Sequence, residues 1–131
     1  MSPLETDPFE WLRRAQADLR AAELLLADPD LPRWPAGFHL QQAAEKALKA
    51  VLVARGRAAP RSHDLEQLAE AAATLDPGLS GWGDRLLALN DFGVAQRYPG
   101  IDEPTVDMES AVGHVSKLLA DVQRLIGAKT G

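Results

Sequence analysis

The apolar positions of this chain recur at helical spacing nearly everywhere, and its prolines and glycines fall between the periodic blocks. Phe9, Leu12, Ala15, Leu19, Ala22 and Leu26 follow at three- and four-residue steps after Pro8, which suits a first helical turn. That helix is expected to end near Asp28-Pro29, ahead of the proline-rich loop Asp30-Leu31-Pro32-Arg33-Trp34-Pro35. The spacing predicts a second helix from about Ala36 to Gly56, a natural C-terminal cap. Asp64, with Gln67 three residues on, announces a third helix by a capping box with carboxylate in place of hydroxyl. Leu65, Leu68, Ala72 and Leu75 form its stripe, and Asp76-Pro77-Gly78 ends it. A fourth helix carries Trp82, Leu86, Leu89 and Phe92 and must stop before Tyr98-Pro99-Gly100, with Gly93 its weak point. The fifth begins near Pro104 and repeats Met108, Ala111, Val115, Leu118, Val122 and Leu125, with fraying expected after Gly127. Nothing reads as strand.

Three long amphipathic helices and two shorter ones, joined by short loops, predict an all-α fold: an up-and-down antiparallel bundle of about five helices. With no solenoid-length repeat and no low-complexity linker, residues 1–131 read as one domain with a core from about 8 to 126. At 46% hydrophobic and 25% charged, such a chain can bury a core without staples. Having no cysteine, it can form neither a disulfide framework nor a thiolate metal site. The acidic start, Met1 to Asp7, has no apolar signal region, and no apolar run approaches the roughly 18 residues of a membrane span. The expectation is a cytoplasmic protein with no membrane partner. Its net charge of −5 repels nucleic acid overall, so any phosphate contact needs a local positive patch.

At about 100° per residue, Leu40, Ala43, Ala44, Ala47, Val51 and Ala54 share one side of the second helix. Gln41, Gln42, Glu45, Lys46 and Lys49 collect on the other. The small residues let neighbouring helices approach closely. Gln41, Glu45 and Lys49 stand at successive i,i+4 steps, with Glu ahead of Lys in the favourable order. Two readings follow, and both turn the stripe outward. It is a solvated face, or it is a surface for a partner or nucleotide, with Lys46 and Lys49 offered to phosphate.

Four features occur in order: Asp18-Leu19 with Ala22, then Gln41-Gln42-Ala43-Ala44-Glu45-Lys46, then His63-Asp64-Leu65, then Arg97-Tyr98-Pro99. Together they resemble the HEPN family (higher eukaryote and prokaryote nucleotide-binding), small stand-alone prokaryotic type, over about residues 9–126. The resemblance implies the same helical bundle. It also implies self-association, as a homodimer, and work beside a minimal nucleotidyltransferase in a two-component or toxin–antitoxin-like system. In that arrangement the partner carries the metal and the transfer chemistry, and this chain supplies a docking surface and part of a nucleotide site.

Residue chemistry narrows the site. His39, His63 and His114 lie on three separate elements, with no His-Glu-x-x-His, no Asp-rich loop and no glycine-rich phosphate loop. The sequence therefore implies no metal and no cofactor. Some HEPN domains are metal-independent RNases whose motif is an arginine followed, after four to six intervening residues, by a histidine. Arg97 is placed like that arginine, but Asp102, Glu103 and Pro104 stand where the histidine would fall. Arg57 precedes His63 by six positions, though in the loop between the second and third helices. His63 is expected to support the turn into the third helix, bonding backbone or a carboxylate.

Arg55, Arg57 and Arg61 make the best local positive patch, beside a helix N-terminus whose amides favour anions unless Asp64 occupies them. Tyr98, the sole tyrosine, resembles a nucleotidyl acceptor of a related HEPN branch, against the plainer role of packing at the bundle end. Trp34, in a proline-rich loop, is a candidate exposed anchor.

No residue is assigned as catalytic, with Arg97 and His63 the candidates. The nucleotide- or partner-binding candidates are Gln42, Glu45, Lys46, Lys49, Arg57, Arg61, His63, Arg97 and Tyr98. The leading expectation is a non-catalytic subunit beside the nucleotidyltransferase. The alternatives are a HEPN-type RNase that joins Arg97 to His63 by folding, and a nucleotide- or nucleic-acid-binding module without chemistry.

Overall fold

Local chemistry sets the ends of most helices in the computed structural model, which describes residues 6–92 and 106–130. Helix α1 (Pro8–Leu26) starts where the Asp7 carboxylate accepts from the Phe9 amide at 2.9 Å, with Pro8 in the first turn. Helix α2 (Trp34–Ala54) begins two residues earlier than expected, because Pro35 is tolerated in a first turn. It closes in a Schellman motif: Gly56 takes a left-handed φ of +80°, its amide donates to Val53, and the Arg57 amide donates to Leu52. Helix α3 (Leu65–Leu75) is capped by Asp64, as predicted.

Helix α4 (Trp82–Leu86) differs from the single continuous helix expected. It tightens into a 3₁₀ turn at Leu87–Leu89 before residues 90–92 resume helical winding. The spacing explains it: Leu86, Leu89 and Phe92 lie three apart, the period that a three-residue turn aligns on one face. Helix α5 (Met108–Thr130) starts later than the Pro104 expected and runs past Gly127. The Asp107 carboxylate sets that start, accepting from the amides of Glu109 and Ser110. Ile126, rather than Leu125, completes its fully buried stripe. No strand occurs among the described residues, and the all-α bundle stands.

Helix α2 is the axis of the molecule, with α1, α3 and α5 all packed on it. Its Ala36, Ala43, Ala44, Ala47 and Ala50 are wholly buried, and their small side chains permit the close approach. Gly37 serves the same end, since a Cβ there would come within 2.3 Å of the Phe92 ring. Surrounding α2 in this way overturns one expectation. The Gln41, Glu45 and Lys49 row is not an outward ridge, for these residues are only 4%, 4% and 5% exposed. Neither a solvated face nor a freely offered surface describes it.

Candidate functional site

A charge row forced inside must be paired, because an isolated buried ion costs far more than one in water. On α2 the pairing takes the form of two clusters, each holding one carboxylate, one histidine and one lysine.

In the first, Asp18 of α1 receives the Lys46 ammonium on one oxygen at 2.6 Å. Its other oxygen lies 2.8 Å from Nδ1 of His39. His39 and Lys46 stand seven positions apart, two turns along the same face of α2. Asp18 therefore ties α1 to α2 across their seam. The cluster is partly open, with side chains 13%, 34% and 25% exposed for Asp18, His39 and Lys46.

The second cluster is more deeply set. Glu45 accepts from the Lys49 ammonium at 3.0 Å on one oxygen and sits 3.0 Å from Nδ1 of His63 on the other. Lys49 also lies over the Trp11 ring, 5.7 Å from its centroid, so α1 closes this end of the row. The Gln42 side-chain amide donates to Oε1 of Gln41 at 3.0 Å, and the Gln41 side-chain amide donates to the His63 backbone oxygen at 3.5 Å. The row thus grips the loop that carries His63. The histidine itself faces out, its side chain 61% exposed. The expectation that a carboxylate would hold His63 at the turn into α3 is met.

Around His63 the N-terminus of α3 is fully occupied. Asp64 accepts from the amides of Glu66 and Gln67, and Asn90 accepts from that of Leu65 at 2.9 Å. The capping box is closed through Ser62, which accepts from the Asp64 amide and donates to Gln67. No amide remains to capture an anion there, so phosphate binding at this loop falls to side chains. Arg55 is also removed from the patch, since its guanidinium pairs with Asp76 at 2.5 Å. Arg57 and Arg61 remain exposed, and neither makes an ion pair among the described residues. The Schellman bond fixes the backbone at Arg57 just past the end of α2.

The structure brings Glu45, Lys49 and His63 together, and Lys46 with Asp18 and His39. No hydrogen bond joins Arg57 to His63, so the bare sequence spacing does not make them a contact pair. Gln42 is half-buried between the clusters. Arg97 and Tyr98 lie outside the described residues, as do Asp102, Glu103 and Pro104. Among the described residues no group of three or more histidine, aspartate and glutamate side chains could hold a metal ion, and His114 stands exposed on α5. The sequence reading missed the ionic role of Asp18 and His39. One signal was available: a single acid on the inner face of α1, opposite two cationic-capable positions two turns apart.

The family model described as HEPN domain matches residues 9–125, nearly the whole chain. No curated protein matches it.

Proposed function

The chain belongs to the HEPN domain family, and we propose that it serves there as a binding subunit without chemistry of its own. The family supports a nucleotide- or RNA-binding or RNase-type module. In our reading, Arg57 and Arg61 take the phosphate of a nucleotide or RNA at the loop between α2 and α3. The chain pairs with a second copy, and the assembly works beside a minimal nucleotidyltransferase in a two-component, toxin–antitoxin-like system. That partner would hold the metal and perform the transfer.

One observation supports the binding half. In a protein of net charge −5, the loop between α2 and α3 carries two exposed arginines that make no ion pair among the described residues, and an exposed histidine held from inside by the buried Glu45 carboxylate. A mobile basic loop would need no such internal anchor. The partner half rests on the family. The membrane is not needed by either half, and no helix among the described residues is long and apolar enough to cross one.

Fluorescence anisotropy with a labelled single-stranded RNA tests the reading. Binding is expected to weaken in Arg57→Ala/Arg61→Ala, with the salt slope falling by about 0.7 for each phosphate that the variant no longer neutralises. Unchanged affinity and slope would overturn it. Metal-free turnover of the RNA would overturn the absence of chemistry. Failure to co-purify with a co-expressed minimal nucleotidyltransferase would remove the partner.

A further inference from the structure

We infer that the groove between the last turn of α1 and the start of α5 docks a cationic amphipathic segment of a partner protein. An apolar side chain of that segment sits on Leu26 and Val112, and a lysine or arginine beside it meets Glu23 and Glu109.

The end of α1 and the start of α5 leave a groove of about 450 Å³ between them. Its apolar lining is Leu26, Ala27 and Val112, and its polar lining is Glu23, Arg33 and Glu109. Leu26 and Val112 pack against the core yet stay partly open to the groove. Apolar surface continues in the connection from α1 to α2. Among the described residues five large hydrophobic side chains stand exposed, and Leu24, Leu31 and Trp34 are three of them. Gathered at one end of the bundle, they mark a contact surface rather than scattered exposure.

Charge decides what kind of partner fits. Glu23 comes from α1 and Glu109 from α5, and neither makes an ion pair among the described residues. Arg33 is the one cation in the lining, and its charge is drawn on by Asp107, the cap of α5. Asp28 and Asp30, both exposed, add to the negative side in the connection. The backbone deepens the imbalance. No basic residue stands in the last turn of α1, so the negative end of its dipole goes unanswered there. Glu23 occupies that same turn, where the dipole disfavours an acid. A lysine or arginine from outside answers both the carboxylates and the helix end, and its aliphatic stem can lie along Leu26. Phosphate is repelled by the same charges, which closes this end to nucleic acid.

The test titrates the whole chain, at low salt, into a fluorescent helical peptide of leucine and lysine in amphipathic pattern. Binding is expected, with backbone NMR shifts concentrated at residues 23–27, 33 and 109–112. Glu23→Gln/Glu109→Gln is expected to weaken it by about three- to tenfold, the worth of two exposed ion pairs. Its melting temperature is expected to change little, because both side chains are exposed. Glu66→Gln/Glu70→Gln removes two exposed carboxylates from α3 and is expected to leave binding unchanged. An equally charged peptide with serine for leucine is expected to bind about tenfold more weakly. No binding, shifts spread over the surface, equal weakening by the α3 variant, or equal binding of the serine peptide would each overturn the inference. Self-association abolished by Glu23→Gln/Glu109→Gln in sedimentation would give the groove to a second copy and overturn the cationic partner.

Discussion

The two ionic clusters on α2 contain the same three kinds of side chain and do different work. Asp18, His39 and Lys46 sit at the α1–α2 seam with every member partly open to water. Glu45 and Lys49 are almost sealed, and only their histidine emerges. In the first cluster the carboxylate comes from a neighbouring helix, so the contacts fasten two helices together. In the second both charges come from α2, and the histidine comes from a loop, so the contacts aim a side chain. Depth turns a tie into a support. The open cluster can rehydrate when a partner is removed, and the sealed one cannot.

That difference predicts unequal losses. Glu45→Ala strands the Lys49 ammonium in the core and is expected to cost about 3–5 kcal/mol in denaturant unfolding. Replacing Glu45 and Lys49 together by leucine is expected to recover most of it, since an apolar pair can fill the same space. Gly37→Ala distinguishes buried charge from general intolerance of α2: it leaves both clusters intact and forces the Phe92 ring to move, at about 1–3 kcal/mol. Asp18→Ala comes next, at about 1 kcal/mol, because water reaches His39 and Lys46. A loss there as large as at Glu45 would erase the distinction.

The smallest effect lies outside both clusters, at the α5 cap. The Ser110 hydroxyl and then the Ser110 amide hold the Asp107 carboxyl below its ordinary 3.8 against an opposing desolvation, with smaller help from the Glu109 amide and Arg33. Its contribution is therefore present above that ordinary value and lost as pH falls through the lowered one. Asp107→Asn is expected to flatten the acid limb of the unfolding curve slightly. An unchanged limb would show that the cap does not titrate with folding.

How much of this was legible in the sequence depends on range. Pro8, Gly56 and Asp64 act within a turn or two, so they mark the ends of α1, α2 and α3 from sequence alone. Asp107 acts as locally, but Pro104 offers a competing start for α5 that the sequence does not exclude. The inward turn of Gln41, Glu45 and Lys49 was not legible, because a polar stripe reads as outward until another helix is known to cover it. Only the antiparallel register of α1 on α2 brings Asp18 to His39 and Lys46, and Trp11 over Lys49. Asn90 reaches the start of α3 from 25 residues away, a distance at which no spacing rule operates. His63 was legible in part: its local role followed from its place before Asp64, but the identity of its carboxylate did not.

Whether Glu45 fixes the His63 ring decides between an aimed side chain and a loose one, and nitrogen-15 NMR of the histidine side chains in mildly alkaline buffer reports this directly. The predicted spectrum shows His63 with its proton on Nδ1 and Nε2 bare, a pattern that collapses toward mixed tautomers in Glu45→Gln. A wild-type His63 already protonated on Nε2, or averaging freely between the two nitrogens, would contradict it.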